Sequence, residues 1–518
     1  MNIMQRVVLG STASVLAFSA AQAADLPVKA KAVEYVRICS LYGDGFFYIP
    51  GTDTCMKLGG YLRVDTTFNG GIQGAPAWNG DLGEQNRYRN YFASRSRMLF
   101  TLDTRTATEY GLVRTYGEAR FQFSTLGNST ENPNSLATNL GNNPNLLDTP
   151  GGGYVSTAYL FVQFAGFTFG KSASAYASPW QGYPGNISDD LLGGQNTDTG
   201  VNNVQYTAQF GGGVSGTIGF DDPTVWDRTA VYNLTTGLNA VGTTGNAYAG
   251  VRAPDIVGNV RIDQVWGLLQ ISADAHNVTG SYNALTASTA APTTLSQISG
   301  HPGDKWGGSA MAALQIKNIP TGTGDDIKLD ASWAKGMTKN VIATAAASPS
   351  FAMFGGSNRA FQSVGFAATT DALWVPAGTV VGGVVGDGSL HLTEAYGIRG
   401  AFNHNWDPHW ATSLYGSYSA VRYDGTAKAL YCAAYAAGKV VSADFSCNPD
   451  FNVAQLGLLT RWTPVKNMTF SAEVQWFHLD QKFTGTAVLA PSAPLPTTTY
   501  EFKDQNTVFL ELRAQRNF

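Results

Sequence analysis

Charge is what this sequence has least of. Asp, Glu, Lys and Arg make up 14% of its 518 residues, against roughly 25% in an ordinary soluble domain. Long apolar runs are missing too. After the opening residues no stretch reaches the 18 or so consecutive apolar side chains of a membrane-spanning helix. Mean hydropathy is −0.09, so apolar residues are dispersed among polar ones rather than collected in blocks. Acidic residues outnumber basic ones, 37 to 33, and the formal charge of −4 argues against a nucleic-acid partner. There is no Walker loop and no Gly-x-Ser-x-Gly nucleophile elbow. The six histidines include His404 and His409 in one short turn, but none of them falls into a metal-ligand spacing. These absences lead us to expect no enzyme, no metal centre and no cofactor.

Glycine (59 residues) and aromatic side chains (12%) are abundant instead. The chain opens with Arg6, a short apolar stretch from Val7 to Ala20, and Ala21-Gln22-Ala23 as a small-x-small site. This has the form of a secretion signal spanning 1–23. Its removal takes away Arg6 and would leave a net charge of −5, one unit below −4. An exported chain with four cysteines is expected to form two disulfides. Cys39 with Cys55 and Cys432 with Cys447 close the shortest loops, the other pairings being alternatives.

Period-two alternation recurs from Lys57 to the end. In the last segment Val508, Leu510, Leu512 and Ala514 share one face. Thr507, Glu511, Arg513, Gln515 and Asn517 share the other, with Phe509 as the exception. Leu58, Leu62, Val64 and Phe68 alternate in the same way with Lys57, Tyr61, Arg63, Asp65 and Thr67. If such a chain crosses a membrane it does so as a closed barrel, because only helices and barrels satisfy their own backbone hydrogen bonds in lipid.

We count about sixteen such segments, a number that leaves an aqueous channel. They fall at 57–68, 93–105, 109–125, 154–164, 166–171, 202–210, 213–222, 255–264, 267–277, 307–317, 326–336, 391–403, 410–423, 452–463, 468–480 and 506–517. Short and long connections alternate strictly. The short ones include Ala165-Gly166 and Val265-Trp266, and the long ones include 172–201, 223–254 and 337–390. Short periplasmic turns and long extracellular loops are the arrangement of an outer-membrane barrel. The expected organisation is therefore an all-β transmembrane antiparallel barrel over 57–518, preceded by a periplasmic-side segment, 24–56. Phe361 to Thr369 also has strand character, which keeps eighteen strands as an alternative.

Cys39-Ser-Leu-Tyr-Gly-Asp-Gly-Phe-Phe-Tyr-Ile-Pro-Gly-Thr-Asp-Thr-Cys55, followed by Met-Lys-Leu-Gly-Gly-Tyr-Leu-Arg63, resembles the opening of the alphaproteobacterial porins of Brucella and rhizobial bacteria. Ala24-Asp-Leu-Pro-Val and Gln163-Phe-Ala-Gly-Phe-Thr-Phe-Gly170 resemble the same group, and the last strand, ending on Phe518, resembles outer-membrane proteins generally, in which that end is read by the assembly machinery. The resemblance implies a sixteen-stranded homotrimeric barrel in the outer membrane of a Gram-negative cell, in contact with lipid. It would pass small hydrophilic solutes and ions by passive diffusion, and its third long loop would fold into the lumen.

That loop, 172–201, carries Asp189, Asp190 and Asp198 beside Tyr176, Trp180 and Tyr183. The first three strands supply Arg63, Arg95, Arg97, Arg114 and Arg120 on the inward parity, with Glu118 among them. Charge on a lipid-facing strand position costs a few kcal/mol at the bilayer midplane, so this face is expected to line water. The arginines then have two compatible roles: a transverse field acting on solutes, or ion pairs with Asp65, Asp103 and Glu118 that stiffen the wall. The loop aspartates form either the opposing charge or a solvated turn. Three other functions compete with this one. An adhesin or receptor would act through the long loops. A barrel lipase lacks a convincing serine partner for His404 or His478. An energy-coupled transporter needs a plug domain larger than 24–56.

Overall fold

The computed structural model describes residues 37–71, 74, 76, 78, 83, 85–87, 89, 91–124, 154–189, 191–196, 199–224, 227–343 and 350–518. The expected leader, the start of the 24–56 segment, Asp190 and Asp198 lie outside the described residues. Sixteen antiparallel strands form the wall. Eight make the first half: β1 (Cys55–Phe68), β2 (Phe92–Thr108), β3 (Gly111–Ser124), β4 (Tyr154–Phe164), β5 (Phe167–Ser172), β6 (Val201–Gly211), β7 (Val214–Asp221) and β8 (Asp255–Gln264). Eight make the second: β9 (Gly267–Val278), β10 (Lys305–Lys317), β11 (Asp326–Lys335), β12 (Glu394–Asn405), β13 (Trp410–Arg422), β14 (Phe451–Val465), β15 (Met468–Gln481) and β16 (Gln505–Asn517).

Each strand pairs with its neighbours in sequence, and β16 pairs with β1 from Tyr61 opposite Asn517 to Phe68 opposite Leu510. Phe518 extends this closing ladder, donating its N–H to Gly60 O at 3.1 Å and accepting the Gly60 N–H at 3.3 Å. Gly60, at φ 155°, has no room for a side chain, since a Cβ there would meet Leu99 O at 2.0 Å. No sheet edge is left within the wall. The expected segments and the observed strands differ by at most three residues at any end, because the lipid face and the lumen face impose the same period on every strand. Outward positions such as Leu62, Val64, Leu456, Leu458 and Leu512 are exposed on the isolated chain, the state of a surface that meets hydrocarbon. Trp410, Trp462 and Phe470 stack in a row with centroids 5.8 and 5.6 Å apart, as in an interfacial aromatic belt.

The wall does not have eighteen strands. Gln362–Ala368 is a strand, but it pairs with Ser350–Gly355 and, in parallel, with Thr498–Phe502. Thr498–Phe502 pairs in turn with Thr486–Leu489, making a separate sheet from the loops before β12 and β16. Six of the seven residues of Gln362–Ala368 are buried, so this strand has no face to offer lipid.

The long loops share a core of their own. Helix α1 (Gly425–Ala436) starts where Asp424 accepts the Ala427 N–H at 2.7 Å, a capping bond that satisfies one orphan donor of the first turn. The helix buries Leu430, Tyr431 and Tyr435 against Phe366, Phe483 and Phe502. The Cys432–Cys447 disulfide staples it to the chain that leads into β14, and Cys39–Cys55 ties the N-terminal segment to the start of β1. Phe351 and Trp78 reach down onto Phe477, an inward residue of β15, with centroids 5.7 and 5.0 Å away. The extracellular mouth is therefore packed with apolar side chains along the β14–β15 side. Leu430→Ala should cost this loop assembly about 3 kcal/mol, as a fully buried Leu does in a close-packed core. Limited proteolysis of the extracellular loops should accelerate while the barrel stays intact, and an unchanged cleavage rate would show that the helix is not packed.

Candidate functional site

Between β5 and β6 the third loop lies against the inside of the wall, held by inward side chains of β8 and of the strands of the second half. Asn259 on β8 and Gln270 on β9 donate to Ala175 O and Ala177 O, each at 2.7 Å. Trp180 donates its indole N–H to Asp330 Oδ2 on β11 at 2.6 Å. Gln455 on β14 accepts the Leu192 N–H at 2.8 Å, and Glu473 on β15 accepts the N–H groups of Ile187 and Ser188 at 2.6 and 3.2 Å. Tyr415 on β13 hydrogen-bonds the other Glu473 oxygen.

The strongest of these ties is Arg399 on β12, 1% exposed. It pairs with Asp330 at 3.0 Å, opposite it on β11, and aims its remaining N–H groups at the loop. They reach Leu191 O (3.1 Å), Gly194 O (3.2 Å) and Gln195 O (2.6 Å). A guanidinium has five donors in one plane and can satisfy a carboxylate and several carbonyls together. Backbone carbonyls buried without donors would carry a desolvation cost of about 1–3 kcal/mol each. Arg399 thus fixes where the loop runs.

The structure places all five arginines of the first three strands on the inner wall, with Arg95 beside the pinned loop and Arg114 near the turn end of β3. Arg95 pairs with Asp65 at 2.5 Å and lies 3.8 Å from Asp189 of the third loop. Asp189 also accepts the Tyr183 hydroxyl at 2.8 Å. Arg97 donates to Gln122 at 2.5 Å, and Arg120 pairs with Glu118 at 3.1 Å. Arg114 pairs with Asp103 at 3.0 Å and bonds Gln163, while Arg63 donates to Gln515 at 2.8 Å. Every arginine of the group thus has a polar neighbour on the wall, as the stiffening role requires. Arg95 and Arg97 are only 1% and 2% exposed, whereas Arg63 and Arg114 keep part of their surface open. Arg513 on β16 lies between Asp65 (2.5 Å) and Glu511 (2.9 Å) and donates to Ile187 O. It stands between wall and loop rather than at a water surface.

A second charged group sits at the extracellular ends of β7 to β9. Asp221 and Asp255 stand opposite each other, and His276 contacts Asp255 at 2.6 Å. Asp227, from the loop between β7 and β8, is buried beside them and accepts from Gln195 at 2.9 Å. Burial first, and the neighbouring aspartates next, push the Asp227 carboxyl well above the usual carboxylate range.

A closed sixteen-strand barrel with an apolar exterior, a charged interior and its own third loop laid inside defines an outer-membrane β-barrel of porin type. Residues 25–510 match the sequence model of the porin subfamily, and the chain belongs to that family. It is 32% identical over 270 residues to porin Omp2b of Brucella abortus, a stretch that is 52% of this chain and 64% of that protein. Omp2b of Brucella suis biovar 1 matches to the same extent. The matched stretch is thus under two thirds of the length of these relatives. Among solved structures, the outer membrane channel DcaP of Acinetobacter baumannii has a similar fold. It superposes with a TM-score of 0.54 at 13% identity, covering 91% of this chain and 99% of that one.

Arg399, Asp330 and Glu473 were missed from sequence. The available signal was their inward parity, but the pairing of Arg399 with Asp330 needs the register between β11 and β12. Arg399→Met should leave Asp330 buried without its partner, a loss of about 3–5 kcal/mol. It should also free the third loop, raising mean conductance and open-channel noise in planar bilayers. The double variant Arg399→Met, Asp330→Asn should recover folding yield and keep the noise; a quiet channel of unchanged conductance would show that the loop is held elsewhere.

Asp227 yields a pH test. Its raised pKa means that the closed loop holds a proton the opened loop releases. Closure is therefore favoured in acid and weakens as pH rises from about 4, the ordinary carboxylate value, toward the raised one. Asp227→Asn should make protease resistance of that loop higher at pH 7 and less dependent on pH. A pH profile as steep as that of the unsubstituted protein would place the titration on another group.

Proposed function

We propose that this chain is a general porin, a water-filled channel through which small hydrophilic solutes and ions cross the outer membrane by passive diffusion. The observation that carries the reading is the third loop pinned inside the lumen, with its Asp189 3.8 Å from Arg95 of the basic wall. The loop is bonded to β8–β15, and Arg63 and Arg114 lie on the opposite wall. A loop tied down in this way narrows a lumen without moving through it, and the charges beside the neck bias which solutes enter. Arg95, Arg97, Arg120 and Glu118 are proposed to hold that wall rigid, with Asp189 of the loop as the opposing charge. Asp190 and Asp198 are proposed to add to it.

We read the barrel as a homotrimer, as its family resemblance implies, with Phe518 as the assembly signal. The ring of Phe518 is exposed while its backbone completes the closing ladder. The segment 1–23 is read as the cleaved leader and 24–56 as the periplasmic-side segment.

Purified protein should give stepwise ohmic conductance in planar bilayers, and a preparation that inserts without steps would refute the channel reading. Neutralising the two open arginines, Arg63→Gln with Arg114→Gln, should raise the cation-to-anion permeability ratio measured as a reversal potential across a KCl gradient. One unit charge about 4 Å from an ion in water is worth about 1 kcal/mol, or a bias of about fivefold. An unchanged reversal potential would remove both residues from the neck.

A further inference from the structure

Apart from the basic arc on β1–β3, the lumen has a second region of opposite character. Beneath the first part of the third loop, between residues 173–181 and strands β6–β9, lies a cavity of 490 Å³. Its barrel side is lined by Gln205, Thr207 and Gln209 of β6, Thr217 of β7, Asn259 of β8 and Gln270 of β9. All six are neutral, and each amide or hydroxyl can donate as well as accept. The charges at the cavity, Arg261 and Asp263, close on each other through two hydrogen bonds, 2.7 and 3.2 Å, and so cancel locally. The hydroxyls of Thr207 and Thr217 lie 2.9 Å apart and form a small polar platform.

We infer that this cavity is a subsite for neutral polyhydroxylated solutes, of the size of a mono- or disaccharide, that lie under the third loop on their way through the channel. The inference rests on the porin reading and names a solute class for it. An ion entering the cavity would give up ordered water and meet no net charge in return, whereas near the arginines it meets a field. A sugar presents adjacent hydroxyls that donate and accept, and a wall of amides and threonines answers both halves of each group. The volume lies in the range of small-molecule sites, roughly 300–1,000 Å³, and exceeds the space of one water, about 30 Å³, many times over.

The loop forms the roof through bonds already described, from Asn259 to Ala175 O and from Gln270 to Ala177 O. The shape of the subsite is therefore set before a solute arrives. Thr217 and Gln209 have no part in that roof, which makes them the positions at which solute contacts can be removed while the loop stays pinned.

The test is the block of single-channel KCl current by maltose in planar bilayers, normalised to the open-channel current of each variant. Maltose should reduce the current saturably in the unsubstituted protein. Thr217→Val and Gln209→Leu should each raise the half-blocking concentration about fivefold, the effect of one lost hydrogen bond of ordinary strength. Channels that open in steps but show no saturable block, or variants whose half-blocking concentration is unchanged from that of the unsubstituted protein, would overturn the subsite and leave the porin reading standing. Absence of conductance steps would overturn the porin reading and the subsite with it.

Discussion

The pairing of β16 with β1 is the contact on which the rest of the molecule depends. In hydrocarbon an unpaired N–H or C=O has no water to turn to and costs several kcal/mol, so a sixteen-strand sheet with two open edges could not lie in a membrane. Joining Tyr61–Phe68 to Leu510–Asn517 removes both edges. Once the ring is closed, every strand has one face toward lipid and one toward the lumen, and the alternation of side chains follows from that geometry. The chemistry of the lumen is then decided by what the inward positions carry, and the loops have only the two rims and the lumen in which to fold.

The interior resolves the resulting tension between charge and burial by division. The third loop takes the β8–β15 side, where Arg399, Glu473, Gln455 and Asn259 satisfy its backbone groups. The inward apolar residues at the extracellular ends of β14 and β15 are covered by the loop core through Phe351 and Trp78. The remaining lumen surface includes the arginine arc on β1–β3 and, beneath the third loop, the amides and hydroxyls of β6–β9. Most of the arginines are drawn into pairs with Asp65, Asp103 and Glu118. In the proposed function, the paired charges keep the wall stiff and the open surface of Arg63 and Arg114 is what a passing solute would meet.

Strand positions were legible in the sequence because a lipid face cannot tolerate an interruption in period two. Thus β4, predicted at 154–164, is found at Tyr154–Phe164, and β8, predicted at 255–264, at Asp255–Gln264. The loops obey no such rule, and Gln362–Ala368 shows the result: its residues have strand propensity, and nothing local tells whether its partner is the wall or another loop. The arginines could be placed on the inner face by parity alone, but which of them are covered depends on where the third loop lies. That in turn depends on Arg399 and Asp330, 69 residues apart in sequence and joined only through register. Asp189 was legible as a loop charge. Its contact with Arg95 was not, since it follows from the same pinning.

One alternation of side chains around one lumen underlies the whole barrel, and adjacent residues of β1 can report on it. The described cysteines are all in disulfides, so a single introduced thiol can be addressed without interference from them. With Arg63→Cys, a membrane-impermeant thiol reagent bearing a sulfonate should lower the single-channel conductance in steps as open channels are modified. With Leu62→Cys, one position along and facing lipid, the same reagent should leave the conductance unchanged. Equal responses at the two positions, or a response at 62 alone, would contradict the inward and outward assignment of the strand and with it the lumen described here.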